Sequence, residues 1–206
     1  MKNLRLPHYF IIAIAVVVVD QLVKYLVHQN MALDKVIPIF GDWFKLNYIT
    51  NPGMAFGLKL DWAYGKVLLS TFRLVAMFGI AYYIKTLVDK RTHAGFIMCV
   101  TFILGGAVGN LVDSMIYAIL DPALIVTASD LGGVEPPFSL FHGQVIDMFH
   151  IDIAQGFYPE NWPIVGGDWY SFWPVFNVAD AAIFCAVVVI LIRQKSFFKE
   201  DTNVYR

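Results

Sequence analysis

The sequence predicts an all-α membrane protein: four transmembrane helices, a small β-rich cradle at the membrane surface and an extended outer loop. Three observations carry that expectation. The 206 residues are 58% hydrophobic and 15% charged, with mean hydropathy +0.62, too apolar for an ordinary soluble domain. Four apolar runs, Tyr9–Val27, Val67–Ile84, Ala94–Leu120 and Phe172–Ile192, approach the roughly 20 residues that cross a bilayer. The cations are also distributed unevenly between the intervening segments. A net charge of −1 gives no basis for binding nucleic acid. Without repeats or low-complexity tracts, residues 1–206 read as one integral-membrane domain.

The first run follows Lys2 and Arg5, as a secretory signal would. No small-residue cleavage site comes after it, and Asp20 and Lys24 interrupt its end, so it reads as a permanent span. In the outer segment 28–66, the aromatic and β-branched stretch Trp43–Thr50 predicts a strand or two at the membrane interface. A short polar connection with Lys85, Lys90 and Arg91 joins the second and third spans. The second outer segment, 121–171, is rich in Gly, Pro, aromatics and acids, and is long enough to cover a site. Nine of the 15 Lys and Arg residues lie in the N-terminus, the 85–93 connection and the C-terminal tail. The other side has Lys35, Lys45, Lys59 and Lys66 in the first outer segment and none between Asp121 and Trp173. The positive-inside rule therefore puts both termini in the cytoplasm and both long segments outside.

Several polar residues interrupt the apolar runs. Asp180 stands about a third of the way into the fourth run, and Asn177 shares its helical face. A carboxylate in hydrocarbon costs at least ~2.5–3.5 kcal/mol, so it faces a protein interior or a wet cavity, unless it merely caps a helix at the membrane edge. Asp20 and Lys24 stand in the favourable i,i+4 order, either paired inside or placed at the interface with Lys24 snorkelling outward. Asn51-Pro52-Gly53 is ordinary turn chemistry, although an amide beside the bilayer could also hold a peptide backbone. In the third run, Gly105 and Gly109 permit close helix packing, which leaves the acid–amide pair of Asn110 and Asp113 unexplained. Asp147, in the second outer segment, is the leading partner for Asp180. Asp121, Asp130, Glu135, Asp152, Glu160 and Asp168 read as solvated surface. Cys99 and Cys185 lie in apolar runs and read as packing residues, and the five scattered histidines predict neither a metal nor another cofactor.

Two carboxyl groups about 3 Å apart share one proton near neutral pH. The ionised partner takes a proton from water while the protonated one donates to a carbonyl oxygen, which hydrolyses an amide without a metal or covalent intermediate. The same acids could instead bind an ion in a small proton- or ion-coupled carrier, the alternative from another functional class. Carriers commonly show repeated halves and broken helices, and neither is visible in this chain.

The ordered set Asp20-x-x-x-Lys24, Asn51-x-Gly53-x-Ala55-Phe56, Gly105-Gly106-x-x-Gly109-Asn110-x-x-Asp113, Val145-x-Asp147-x-Phe149 and Phe176-Asn177-x-Ala179-Asp180 resembles lipoprotein signal peptidase, signal peptidase II. The resemblance implies an aspartic intramembrane endopeptidase of the bacterial inner membrane, with its active site toward the periplasm. Its substrate would be a prolipoprotein, cut just before the lipid-modified cysteine. Asp147 and Asp180 would be catalytic. Asn51, Gly53, Gly106, Asn110 and Asn177 would position substrate or dyad, with Asp20, Lys24 and Asp113 supporting the site. Membrane lipids are the expected surroundings, and the expected state is a monomer. Two departures stand out. The family's third motif commonly continues Asp-Arg, whereas Ser114 follows Asp113, and Arg73 in the second span is the candidate substitute. The stretches Asp121–His142 and Ile153–Trp173 are longer than the family's usual spacing and read as an enlarged lid.

Overall fold

The computed structural model describes residues 4–52, 64–127, 139–163, 169–171 and 174–198, with positions 133, 136 and 167. Helix α1 (Leu6–Asn30) leads into strands β1 (Val36–Phe40) and β2 (Phe44–Asn51). Helices α2 (Gly65–Asp89) and α3 (Ala94–Val112) follow. A π-helical turn (Asp113–Tyr117), the single turn α4 (Ala118–Leu120) and a 3₁₀ turn (Pro122–Leu124) then lead to β3 (Val145–Ile151). The hairpin β4 (Gln155–Phe157) and β5 (Trp169–Ser171) precedes helix α5 (Val178–Phe197). Among the described residues, three helices are long and apolar enough to cross a membrane: Leu6–Asn30, Gly65–Asp89 and Ala94–Tyr117. Helix α5 is of similar length but carries Asp180, Arg193 and Lys195.

The helices are arranged inside out relative to a soluble bundle. Helix α1 buries Tyr9, Ala13, Asp20, Lys24 and Val27 along one stripe, while Ile11, Ile14, Val18 and Leu22 are exposed. Helix α2 likewise turns Lys66 and Ser70 inward and leaves Leu68, Phe72, Val75 and Phe78 outside. Apolar faces turned outward and charged groups turned inward fit a lipid surround, where an unsatisfied polar group is expensive. Pro7, in the first turn of α1, costs nothing there because that N–H has no helical acceptor.

Helix α3 is the centre of the bundle, packed against α1, α2 and α5. Its glycines make this possible. A Cβ on Gly105 would stand 2.8 Å from Val16 Cβ of α1, and one on Gly106 would run into the Ala179 carbonyl of α5. Small residues thus let three backbones approach at one level. One apolar cluster, including Tyr9, Ile84, Ile97 and Leu104, holds the far end of the bundle. A second, of Val27, Met31, Tyr48, Leu124, Ile146 and Met148, joins the sheet to the helices.

The sheet has the order β1-β2-β3, antiparallel throughout, with Ile49 opposite Asp147 and Asn51 opposite Val145. Trp43–Thr50 does contain the expected strand, paired on both sides. Residues 145–151, read as outer loop, instead form β3, and the reason is burial. Its first four residues are all buried, so the polar alternation that marks a one-sided strand is missing.

The start of the last helix also differs from expectation. It begins at Val178 rather than 172, because Asn177 is its N-cap and accepts the Asp180 N–H at 2.9 Å. Phe176 is extended and pairs with Phe149, adding one more rung to the sheet. Asn177 and Asp180 therefore sit at a helix mouth, not on the side of a span. Asp121 and Asp152, read as solvated surface, have side-chain partners: Asp121 lies 3.1 Å from His28 Nε2, and Asp152 pairs with Lys45 at 2.6 Å. Cys99 is buried and Cys185 exposed, and both are free thiols.

Candidate active site

Four acids converge between the two apolar clusters, in two different settings. The first is built on Lys24. Its ammonium lies 2.8 Å from Asp20 Oδ2 and 2.7 Å from Asp113 Oδ2, and donates to Asn110 Oδ1 at 3.2 Å. Three acceptors use the three N–H bonds that an ammonium has. Both ion pairs are fully buried. Gln21 Nε2 closes the group, donating to Asp113 Oδ1 at 2.7 Å and approaching Asp20 Oδ2 and the Gly109 carbonyl, each at 3.2 Å.

The other lone pairs of these two acids grip backbone. Asp20 Oδ1 accepts the Ala179 N–H at 2.8 Å, and Asp113 Oδ2 accepts the Ile146 N–H at 3.2 Å. Ala179 directly precedes Asp180, and Ile146 directly precedes Asp147. One ion cluster thus fixes the backbone behind each of the remaining two acids.

Those two, Asp147 on β3 and Asp180 in the first turn of α5, are linked through two amides. Asn177 Nδ2 donates to Asp147 Oδ1 at 2.7 Å and lies 3.1 Å from Asn110 Oδ1, while Asn110 Nδ2 donates to Asp180 Oδ1 at 2.8 Å. Asn51 Nδ2 reaches Asp147 Oδ2 at 3.3 Å from the end of β2. Asp147 is 1% exposed, whereas Asp180 is only half-buried. Burial, and next the Asp180 charge, push the Asp147 carboxyl up to about 7, against the opposing hydrogen bonds from Asn51 and Asn177. Asp147 therefore holds a proton near neutrality more readily than an ordinary aspartate.

The expected site residues fall into place unequally. Asp20, Lys24, Asn51, Asn110, Asp113, Asp147, Asn177 and Asp180 form one connected network. Gly106 stands apart from it as the seat of the Ala179 carbonyl. Gly53, with Ala55 and Phe56, lies outside the described residues. Arg73 Nη1 approaches Ser114 Oγ at 3.4 Å, and its charge acts on Asp180, Asp113 and Asp147. Ser114 Oγ in turn bonds the Asn110 carbonyl at 3.2 Å, in the turn where α3 widens to a π-helix.

Two participants escaped the sequence reading. Gln21 is an amide inside an apolar run beside an acid, the same signal that marks Asn110. Lys66, counted among the outer-segment cations, is the second residue of α2 and 3% exposed. Only tertiary packing turns it inward.

Comparison with known proteins agrees with this geometry. Residues 12–196 match the family described as signal peptidase (SPase) II. A lipoprotein signal peptidase of Porphyromonas gingivalis is 36% identical over 197 residues, covering 91% of this chain and 84% of that protein. One of Amoebophilus asiaticus is 36% identical over 200 residues, covering 96% and 81%, and one of Chlorobium phaeobacteroides is 30% identical over 191, covering 92% and 97%. Two solved structures of a bacterial membrane enzyme, obtained by the in meso method, share the fold. Their TM-scores are 0.61 and 0.62 at 18% and 17% identity, over 98% and 97% of both chains. Matched along nearly its whole length, the chain belongs to the signal peptidase II family and is a multi-pass membrane peptidase.

Proposed function

We propose that the protein is an aspartic endopeptidase that removes the signal peptide from diacylglyceryl-modified prolipoproteins, cutting just before the lipid-modified cysteine. The observation that carries this reading is the joining of Asp147 and Asp180, 33 residues apart, through Asn177 and Asn110. The half-buried Asp180 is the ionised base that takes a proton from the attacking water. The protonated Asp147 donates to the scissile carbonyl oxygen, giving a neutral tetrahedral gem-diol. As this collapses, the proton on Asp180 passes to the leaving amine and a gem-diol hydroxyl returns its proton to Asp147. The peptide C–N bond breaks, one water is consumed, and the dyad is restored.

Helix α5 is the fourth span in this reading, so residues 1–206 form a single four-span domain. Nine of the 15 Lys and Arg residues then lie on the cytoplasmic side with both termini. The sheet rests on the periplasmic face of the inner membrane, and the dyad stands at the rim of the apolar layer. A substrate helix bearing acyl chains would reach it from the bilayer. Both acids come from one chain, so a monomer suffices. Family membership disfavours the carrier reading of the same acids.

The test is incubation of the purified full-length protein in detergent with a synthetic lipid-modified precursor peptide. Asp147→Asn and Asp180→Asn each abolish cleavage while the thermal transition persists. Normal processing by either variant would sink the dyad assignment.

A further inference from the structure

Lys66 is the unexplained charge of the site. It stands in the first turn of α2 and is 3% exposed, and among the described residues its Nζ has no hydrogen-bond partner. Its surroundings are electrostatically mixed, with Asp113 and Asp147 attracting it and Arg73 repelling it. Ser70, one turn further along the same face, is anchored by donating to the Phe141 carbonyl at 3.0 Å, and Arg73 lies on that face too. Helix α2 therefore presents three polar side chains inward. Ser70 and Arg73 have protein partners, and Lys66 has none among the described residues.

An amine buried without an acceptor is costly, and an apolar residue of the same length would fit the site at lower free energy. Contrast Lys24, whose three N–H bonds all find oxygen acceptors a few residues' depth away. A buried group left unsatisfied calls for an explanation, and one whose charge interacts with Asp113 and Asp147 is suited to a contact completed by ligand. The amine donates in either protonation state, so a carbonyl oxygen would satisfy it. The carboxylates of the site are already engaged by Lys24, Gln21 and the asparagines. A lipid-modified peptide offers carbonyl oxygens of two kinds close to the cut, those of the peptide and those of the acyl esters.

Resting on the peptidase reading above, we propose that Lys66 is a substrate-binding residue whose amine takes up a carbonyl oxygen of the lipid-modified precursor. The contact would fix the substrate beside Asp147 and add to the affinity without taking part in proton transfer.

The experiment compares wild type, Lys66→Met and Lys66→Arg as full-length proteins in detergent. The probes are two synthetic precursor peptides, one with ester-linked and one with ether-linked chains. Lys66→Met is expected to raise KM by roughly tenfold to hundredfold on the ester peptide, the range for a lost hydrogen bond to a charged group, with kcat little changed. Its melting temperature should rise or hold, because an unsatisfied buried group is gone, and Lys66→Arg should recover part of the affinity. If wild type favours the ester peptide and Lys66→Met does not, the acceptor is an acyl carbonyl. If both discriminate equally while Lys66→Met binds both peptides weakly, it is a peptide carbonyl. An unchanged KM overturns the proposal, and so does a loss of activity that tracks a fall in melting temperature. Failure of the peptidase reading would appear separately, as cleavage that survives Asp147→Asn or Asp180→Asn.

Discussion

Asp20 and Asp113 on one side, and Asp147 and Asp180 on the other, are acids of the same site with opposite circumstances. The first two share the Lys24 ammonium at 2.8 and 2.7 Å and spend their remaining lone pairs on backbone N–H groups. The second two are held by amides, which orient a carboxylate without neutralising it. The difference teaches a division of labour. The acids with a full counter-ion brace the backbone, and on the proposed reading those held by amides keep a proton available for chemistry. The two groups are mechanically coupled, because Asp113 grips the residue before Asp147 and Asp20 the residue before Asp180.

The sharpest way to break this comparison is to neutralise one member of each pair. Asp147→Asn or Asp180→Asn should lower cleavage of the lipid-modified peptide by at least ~10³-fold with little change in the unfolding transition. Lys24→Met should do the reverse in kind: it strands two buried carboxylates, costing about 3–5 kcal/mol of stability, with activity lost only as the backbone anchors slip. Denaturant titration in micelles measures it, and a Lys24→Met protein that is fully stable yet inactive would move Lys24 into the chemistry.

Proton affinity gives a subtler discrimination. The Asp147 carboxyl sits at about 7, raised by burial and by Asp180, against about 3.9 in an unfolded chain. Cleavage should therefore fall on the alkaline side as the shared proton is lost, with a limb near 7 that belongs to the pair. The sign for stability follows from the same shift. The unfolded chain releases this proton first, so Asp147's contribution to stability declines as pH rises from about 4 to about 7 and is constant above. Asp147→Asn should flatten that part of a melting-temperature profile, and an unchanged slope would show that Asp147 does not titrate there. The smallest effect is expected at Lys45, on the central strand β2. Lys45→Met, which takes the ammonium from the largely buried Asp152 carboxylate, should cost about 1–3 kcal/mol and leave cleavage intact.

Much of the site was legible before any coordinates, because an acid or amide in an apolar run is conspicuous on energetic grounds alone. Asp20, Lys24, Asn110, Asp113 and Asp180 stood out in this way, and Gly105 and Gly109 announced close helix packing. Asn51 and Asp147 are less conspicuous, since polar residues are unremarkable in outer segments, and the ordered resemblance strengthens their candidacy. Lys66 reads as an outer-segment cation for the same reason: near a span's end, a lysine looks solvated. Strand β3 is not legible in the sequence because its first four residues are all buried, and the start of α5 is hard to place because an extended apolar segment and a helical one look alike.

By itself the sequence determined that the chain prefers a bilayer and that its interior must be polar at one depth, since transfer free energies depend on residue type and run length. Tertiary structure alone decided which acids would be paired with an ammonium and which would be held by amides. That choice depends on distances of about 3 Å between atoms from α1, α3, β3 and α5, set by glycine-mediated packing and by the capping of one helix.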